Sequence, residues 1–408
     1  MNTTRPLLAG RVLFFVALIL FAANLRTAVT GLAPLIPIIR ESYPLDTFAV
    51  ALLGALAPIC FAIASFSAPP ISRRFGLTIT SIGAILLILV GHLIRASSGE
   101  WTMLAVGTLL ALFGTGVGNI IMPPLVKKYF PDRIGLMTSI YMSVVVLSAT
   151  IPPLIAVQSS DAFGWRGALA QWTALAVIAV IPWLLILRRD RNPDAPVAAK
   201  TTHAPLNLVR SPTAWAIGVV FGVSSVTGYA MFAWMPAIMV DVSHVDLAQA
   251  GALVALFAFL GGPFALVIPV VTQHLKHVDR LIHVATACFV VGYGGLLFFL
   301  TFQPWIWAVI IGSGPLLFPL AMVLINLRTE SQAASLQLSG FAQAIAYVSA
   351  SLAPPLMGLS YELTGGWSAT LIGLAVISTL ASFAAFIVKR GNTVEQELDG
   401  RVSSSLRA

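Results

Sequence analysis

The chain has 408 residues, of which 58% are hydrophobic and only 9% are charged, and its formal net charge at pH 7 is +8. A soluble domain carries about 25% charged residues, so this composition excludes a water-soluble globular protein and indicates an integral membrane protein. The two cysteines, Cys60 and Cys288, lie inside apolar stretches and do not indicate a disulfide framework.

The predicted elements are apolar stretches of about 20 residues or more, each long enough to cross a bilayer. In lipid such stretches must be helices, because a helix satisfies its own backbone hydrogen bonds. The first stretch is too long for a secretory signal peptide and lacks a small-residue cleavage site. The sequence therefore predicts an all-α membrane protein with twelve transmembrane helices. In chain order they are expected at 12–39, 47–70, 77–95, 101–125, 134–157, 167–187, 213–238, 247–272, 280–300, 304–326, 332–358 and 367–388.

The distribution of lysine and arginine predicts the orientation of these helices. Of the 23 lysines and arginines, Arg26 lies within a span, and Arg40, Arg95 and Arg166 fall in loops on one side of the membrane. The others fall on the opposite side, which the positive-inside rule identifies as cytoplasmic. We expect a multi-pass protein of the inner cell membrane with both termini in the cytoplasm. The positive net charge is then a topology signal, and no nucleic-acid partner is expected.

A polar stretch rich in charges and prolines separates the sixth and seventh predicted spans. An internal repeat supports a division there, since "IPPLIAVQSSDAFGW" at 151–165 matches "APPLMGLSYELTGGW" at 353–367, an offset of 202 residues. Two six-helix halves repeated in the same orientation are typical of transporters with a substrate site at the membrane midplane between them. The predicted parts are an N-terminal six-helix half at 1–187, a cytoplasmic linker at 188–212, a C-terminal six-helix half at 213–390 and a cytoplasmic tail at 391–408.

The functional prediction depends on Arg26, the only charged residue expected deep inside a span. All 15 acidic residues and all 6 histidines are expected in loops or near span ends. An arginine at the bilayer centre costs at least about 2.5 kcal/mol, so such residues normally face a protein interior or a watery cavity. Arg26 either caps carbonyls beside a helix break at Gly31, Pro34 and Pro37, or it binds a small anion. The second explanation is the more economical, because no carboxylate is available to pair with Arg26. Asn24 is expected to bond a neighbouring helix instead.

The repeat also predicts which polar side chains accompany Arg26. Positions related by 202 residues, such as Tyr141 with Gln343 and Arg26 with Gly228, are expected to face one cavity from opposite halves. Asn119 is added as an amide well inside the fourth span. Tyrosine and tryptophan also anchor spans at interfaces, so each aromatic candidate has a structural alternative. The predicted substrate-binding residues are Arg26, Thr30, Asn119, Tyr141, Tyr229, Trp234, Gln343 and Tyr347.

No cofactor, metal site or enzymatic activity is predicted. No cysteine and histidine spacing fits a metal site. The glycines of "GTGVGN", which begins at Gly114, resemble a phosphate loop, but they lie within a span and predict close helix packing instead. Because no carboxylate or histidine is expected deep in the membrane to carry a proton, we expect uniport or anion exchange rather than proton symport.

Several stretches carry a family resemblance. "SAPPISRRFG" at 67–76 resembles the loop between helices two and three of the major facilitator superfamily, although the acidic residue usual there is absent. The stretches "NLRTAVTGLAPLIP", "GNIIMPPLVKKYFPDRIGLMTSIY", "YAMFAWMP" and "LSGFAQAIAYVSASLAPPLMGLSYELTGGW" are similar to the cyanate permease family, which includes nitroimidazole efflux proteins. Thr27 stands where that family commonly has proline. The resemblance implies a twelve-helix facilitator fold with Arg73 and Arg74 at a cytoplasmic gate.

These observations predict a facilitator that works by alternating access and in which Arg26 neutralises a small anion such as cyanate. The alternative is an efflux transporter for small neutral or aromatic compounds such as nitroimidazoles, with Trp234 and the tyrosines binding the substrate and Arg26 structural. A receptor that does not transport would be expected to carry an appended soluble domain. The expected partners are a small-molecule substrate and the lipid bilayer, and the protein is expected to be a monomer.

Overall fold

The computed structural model describes residues 11–44, 47–190, 206–275, 277–299 and 303–400. Within these ranges every regular element is helical. The chain forms two compact units, Met1–Pro205 and Leu206–Ala408. Most of the predicted linker, residues 191–205, lies outside the described ranges.

The N-terminal unit begins with a first span that is broken into short pieces. These are α1 (Val12–Asn24), α2 (Thr27–Thr30) and α3 (Ile36–Arg40), with a 3-10 turn at Ala33–Leu35 before α3. Three long helices follow, namely α4 (Thr47–Ala96), α5 (Trp101–Tyr129) and α6 (Ile134–Asp190). The helices α4 and α6 each contain two predicted spans, interrupted at Gly76 and Gly164, whose φ angles of +82° and +70° favour glycine.

The C-terminal unit consists of eight helices among the described residues. The tenth span is made of two of them, α10 and α11, joined by a 3-10 turn at Gly314–Leu316. The helices are α7 (Pro212–Ser243), α8 (Leu247–His274), α9 (Asp279–Phe298), α10 (Pro304–Ser313), α11 (Leu317–Leu327), α12 (Gln332–Thr364), α13 (Ser368–Val388) and α14 (Val394–Leu398).

The helices account for the predicted number of spans. Within the described residues, 10 helical segments are long and apolar enough to cross a membrane. One of these, Leu52–Ala96, contains two predicted spans on either side of Gly76. The more polar α12 supplies the remaining span. The prediction of an all-α membrane protein with twelve transmembrane helices is therefore confirmed.

Glycines in the middle of α5 allow the first span to pack closely against it. A Cβ atom added at Gly118 would lie 2.4 Å from Cδ2 of Leu25, and one added at Gly116 would lie 3.1 Å from Cδ1 of Phe61 on α4. A side chain at either position would require these neighbours to shift, so glycine lets the helices approach this closely without displacement. The close helix packing predicted for "GTGVGN" is confirmed, and it brings the break of the first span against α5.

Contacts at helix ends support the internal repeat. In the N-terminal unit, the indole N–H of Trp165 donates to Oγ of Ser42, just after α3, at 2.9 Å. In the C-terminal unit, the indole N–H of Trp367 donates to Asp241, in the last turn of α7, at 2.8 Å. The two tryptophans are 202 residues apart in the sequence. Each unit therefore fixes the end of its first span by an indole from an equivalent position.

The short helix α14 joins the ends of several helices in the C-terminal unit. Glu397 accepts hydrogen bonds from the backbone N–H of Thr213 at 3.1 Å and from its hydroxyl at 2.6 Å, at the start of α7. Glu395 accepts from the backbone N–H of Ser331, before α12, at 2.9 Å. Arg328, after α11, donates to the carbonyl of Val388, the last residue of α13, at 3.0 Å. These four helix ends lie on one side of the unit, as the predicted topology requires.

Candidate functional site

The break in the first span lies between α1 and α2, at Leu25 and Arg26. Several side chains bond the backbone around it. The amide of Asn24 donates to the carbonyls of Leu20 at 2.8 Å and of Leu175 on α6 at 3.5 Å, which agrees with the predicted contact to a neighbouring helix. The hydroxyl of Thr27 donates to the carbonyl of Asn24 at 3.3 Å. Because the last carbonyls of a helix lack partners within it, Thr27 stabilises the break by bonding the carbonyl of Asn24, and Asn24 ties the end of α1 to α6.

Arg26 is the residue that immediately precedes α2, and its side chain is half-buried. The centre of its guanidinium lies 5.6 Å from the ring centroid of Phe61, a fully buried residue of α4. A guanidinium within about 6 Å of an aromatic ring is attracted by the ring's quadrupole. The ring carries no net charge, so this contact leaves the positive charge of Arg26 uncompensated.

No carboxylate in the described part of the N-terminal unit pairs with Arg26. The acidic side chains described there are all exposed, and Asp132 pairs with Arg11 and Arg133 instead. Over all described residues, no group of three or more histidine, cysteine, aspartate or glutamate side chains could hold a metal ion. The exposed acidic residues of this unit are Glu41, Glu100, Asp132 and Asp161.

A second arginine, Arg95, is buried in the protein near the break, at the end of a span rather than deep inside one. Arg95 is the last residue of the predicted span 77–95 and counts with the external loops in the predicted orientation; it lies in the last turn of α4 and is 0% exposed, a burial that its position along the span does not predict. Its Nη1 donates to the carbonyl of Ala28, within α2, at 3.2 Å. One turn earlier on α4, His92 is also 0% exposed; it lies near the end of the helix, where the sequence places it, and its burial is an addition from the structure.

The sequence does contain a signal for the burial of His92 and Arg95, namely their spacing and the glycines beside them. Position along the span does not reveal it. The two residues are three apart, so they share one face of α4. Glycines flank that face: a Cβ at Gly91 would lie 2.5 Å from the backbone of Ala111, and one at Gly107 would lie 2.8 Å from the backbone of Arg95. The small residues let α4 and α5 approach closely, and the polar residues beside them are enclosed.

The other predicted residues of the N-terminal unit are Thr30, Asn119 and Tyr141, and they differ in how they contact the break. The hydroxyl of Thr30 donates to the carbonyl of Arg26 at 3.2 Å. Asn119 is buried on α5 directly after Gly118, the residue against which Leu25 packs. Tyr141 is buried on α6. Thr30 is thus bonded to the backbone carbonyl of Arg26, and Asn119 is adjacent in sequence to the glycine that contacts Leu25.

In the C-terminal unit, the predicted residues lie on α7 and α12. Gln343 is buried, and its amide donates to Oγ of Ser339 at 2.9 Å. Tyr347 is also buried, with its ring 5.9 Å from that of Phe221. Tyr229 on α7 is half-buried. Tyr229 lies on α7 and Gln343 and Tyr347 lie on α12, and the contact of Tyr347 with Phe221 joins the two helices.

Trp234 and Gly228 differ in what surrounds them. The indole N–H of Trp234 donates to the carbonyl of Pro354 at 2.8 Å, and its ring packs against Gly358 on α12. A Cβ added at Gly228 would meet no heavy atom of the described residues within 4 Å. The position that corresponds to Arg26 therefore borders open space on α7, whereas Trp234 is a half-buried packing residue with its donor satisfied.

Arg73 and Arg74, predicted at a cytoplasmic gate, are exposed and precede the interruption of α4 at Gly76. The guanidinium centre of Arg74 lies 5.3 Å from the ring centroid of Phe75. Neither arginine forms an ion pair with an acidic residue in the described ranges.

Comparison with known proteins agrees with this architecture. The sequence model of the Major Facilitator Superfamily matches residues 12–335. The "2-nitroimidazole transporter" of Escherichia coli (strain K12) is 30% identical over 387 residues, which covers 94% of this chain and 97% of that protein. The "Cyanate transport protein CynX" of the same organism is 29% identical over 378 residues, which covers 88% of this chain and 95% of that protein.

Solved structures share the fold at low sequence identity. The crystal structure of the transporter FucP in the outward conformation has a TM-score of 0.71 at 13% identity and covers 93% of this chain and 98% of its own. The proton:xylose symporter XylE has a TM-score of 0.68 at 13% identity and covers 97% of this chain and 100% of its own. Given the twelve spans, the two units and the match over most of its length, the chain belongs to the major facilitator superfamily.

Proposed function

We propose that this transporter carries a small, cyanate-like anion across the membrane by alternating access, and that Arg26 is the countercharge that binds the anion. The observation that carries the proposal is the uncompensated guanidinium of Arg26, half-buried in the first span and resting on Phe61. Placing an arginine in the middle of a bilayer costs at least about 2.5 kcal/mol. An anionic ligand would offset that cost, which a solely structural side chain would not need to incur.

The main structural explanation for Arg26 is that it caps carbonyls at the helix break, and other residues already do this. Arg95 donates to the carbonyl of Ala28. Thr27 donates to the carbonyl of Asn24, and Thr30 donates to the carbonyl of Arg26 itself. Since these donors serve the break, the guanidinium of Arg26 has a different role in this proposal.

The relatives support a small substrate and name two chemical classes. One relative is a cyanate transport protein and another is a 2-nitroimidazole transporter. The second candidate function is therefore efflux of small neutral or aromatic compounds such as nitroimidazoles, supported by the 30% identity to the latter. In that case Tyr229, Trp234 and Tyr347 would contact the substrate and Arg26 would be structural.

Several further properties belong to the same proposal. The excess of lysine and arginine on one side supports an inner-membrane location with both termini in the cytoplasm. Arg73 and Arg74, exposed before the interruption of α4, are proposed to act at the cytoplasmic gate. We also propose a monomer that needs no cofactor and acts as a transporter rather than an enzyme.

The test compares anion binding by purified wild type, Arg26→Ala and Arg26→Lys, using ligand-induced thermal stabilisation over a series of small anions and 2-nitroimidazole. We expect cyanate to stabilise wild type. Its affinity for Arg26→Ala should be lower by at least about 100-fold, because leaving a bound charge without its countercharge costs about 3 kcal/mol or more. Arg26→Lys should bind weakly, since lysine lacks the planar fork of the guanidinium.

Flux into proteoliposomes provides the second measurement. Anions should compete with cyanate uptake and 2-nitroimidazole should not. If Arg26→Ala melts normally and binds cyanate as tightly as wild type, the countercharge proposal is wrong. If 2-nitroimidazole alone stabilises the protein, the efflux candidate replaces it.

A further inference from the structure

We propose that Arg95 is a positioning residue for the substrate site: it holds α2, and thereby sets where the guanidinium of Arg26 lies. The inference rests on the proposed function of Arg26 as the countercharge. Its structural basis is the bond from Nη1 of Arg95 to the carbonyl of Ala28, at 3.2 Å, which joins the end of α4 to α2.

A helix as short as α2 cannot maintain its own position. It has only four residues, Thr27–Thr30, and an isolated helix of that length is unstable in any solvent that competes for its hydrogen bonds. The helix ends at Thr30, so its carbonyls belong to a last turn, where carbonyls generally lack partners within the helix. The bond from Arg95 supplies a donor from a long, well-packed helix, so α2 is tied to the rest of the unit at this point.

Arg95 is held in place by a close contact between α4 and α5. A Cβ added at Gly107 would lie 2.8 Å from the backbone nitrogen of Arg95 and 2.9 Å from its Cγ. The absence of a side chain at Gly107 therefore lets α5 press against Arg95. The stem of the side chain is enclosed, and its guanidinium can extend toward α2 only along a restricted path.

The cost of Arg95 argues for a role beyond stability. The residue is 0% exposed, and its Nε and Nη2 have no hydrogen-bond partner among the described residues. Buried donors without partners are costly, and replacing a buried charge by an apolar side chain of similar size is often neutral or stabilising. A residue kept only for stability would therefore be better replaced by methionine or leucine.

The connection from Arg95 to Arg26 is short. Arg26 immediately precedes α2, and its carbonyl accepts from the backbone N–H of Val29 at 3.0 Å and from the hydroxyl of Thr30 at 3.2 Å. Movement of Ala28 is thus transmitted to Arg26 through one turn of backbone. On the other side of Arg26, Leu25 packs into the notch at Gly118. Arg26 lies between these two fixed points.

The experiment uses three variants of Arg95 in the full-length protein. Arg95→Met removes every donor, Arg95→Gln keeps polarity without the reach of arginine, and Arg95→Lys keeps a donor and the charge. In proteoliposomes we expect KM for cyanate to rise about tenfold or more in Arg95→Met and Arg95→Gln, the change that corresponds to one lost hydrogen bond of a charged group. We expect kcat to change less, and Arg95→Lys to recover part of the affinity.

A spectroscopic measurement separates positioning from general stability and does not depend on the substrate. A spin label on Val29→Cys, in a background with Cys60→Ser and Cys288→Ser, reports on the motion of α2. The label should become more mobile in Arg95→Met and Arg95→Gln, while the melting temperature stays unchanged or rises. Arg166→Met is the matched control, because Arg166 in the same unit donates to the carbonyl of Ser98 at 2.8 Å, in the loop after α4, rather than to a carbonyl of α2.

The outcomes distinguish this inference from the proposed function. If Arg26→Ala loses cyanate binding but Arg95→Met and Arg95→Gln keep wild-type KM and label mobility, the positioning role is wrong and the countercharge proposal stands. If Arg26→Ala binds cyanate normally, the proposed function itself fails. If Arg95→Met does not fold, a label mobility in Arg95→Gln equal to that in Arg166→Met would still overturn the inference.

Discussion

The first and seventh spans occupy equivalent places in the internal repeat, yet only the first is broken. The seventh is a single helix, α7, of 32 residues that continues through Pro236. The first is divided into α1, α2 and α3, and its Pro34, which matches Pro236 in the repeat, lies in a 3-10 turn. Proline is tolerated within membrane helices when neighbouring groups satisfy the released carbonyl. Proline alone therefore does not decide where a span breaks.

The break that matters most for the site lies at Leu25 and Arg26, where there is neither proline nor glycine. What distinguishes it from α7 is the supply of replacement donors. Thr27 donates to the carbonyl of Asn24, and Arg95 donates from another helix to the carbonyl of Ala28. At the corresponding place in α7 stands Gly228, beside open space, and the helix continues. A membrane helix can break where the surrounding residues provide partners for its backbone.

The largest expected effect on stability comes from filling the space at Gly118 into which the first span packs. In Gly118→Leu the new side chain would overlap Leu25 and Phe21, and we expect a loss of about 1–3 kcal/mol from overpacking. The matched variant is Gly228→Leu on α7, where a Cβ meets nothing within 4 Å and leucine favours the helix. Thermal unfolding of both purified variants checks the difference. Equal melting temperatures would show that the packing of the break contributes nothing to stability.

A smaller effect concerns the start of α7, which is capped in a way that the start of α1 is not. Ser211 accepts from the backbone N–H of Ala214, and Glu397 accepts from Thr213, whereas the residue before α1 makes no side-chain cap. Glu397→Ala should lower stability by about 1–2 kcal/mol, because it removes charged hydrogen bonds at a helix N-terminus.

The control for Glu397→Ala is Glu362→Ala, an exposed glutamate of α12, which we expect to change stability by less than about 0.5 kcal/mol. Unfolding of both variants in the same detergent provides the comparison. A loss in Glu362→Ala as large as in Glu397→Ala would indicate a general effect of negative charge rather than the cap.

The smallest expected effect concerns proton coupling, which is tested at His92, a histidine buried near the end of α4. We still expect electrogenic transport of the anion without a proton, since moving one charge against 100 mV costs about 2.3 kcal/mol and consumption of the substrate can drive uptake. Dissipating a pH gradient at constant voltage should leave cyanate flux unchanged, and His92→Gln should behave like wild type. A flux that falls with the pH gradient in wild type but not in His92→Gln would identify His92 as a proton carrier and contradict the expectation.

The sequence predicts the spans well because apolar length is set by the bilayer and does not depend on tertiary contacts. It predicts depth along a span but not which side of a helix faces protein, so it places Arg95 at the end of a span without predicting that the side chain is buried. The break at Leu25 is missed because it has no local signal and depends on Gly118, Arg95 and Leu175 on other helices. Among the site residues, Thr30 beside Arg26 follows from local helix spacing, whereas the packing of Trp234 on Pro354 depends on a distant helix.

The hydrogen bonds between α14 and the starts of α7 and α12 affect the order in which the C-terminal unit can form during synthesis. Glu397 follows Thr213, its partner at the start of α7, by 184 residues. Helices made early in a chain generally begin to fold while later ones are still being translated. The start of α7 therefore lacks its hydrogen bonds to Glu397 until the ribosome has made all six spans of the unit and the segment beyond them. A chain that stops shortly after Val388 would contain every membrane helix and still lack the contact that closes the bundle.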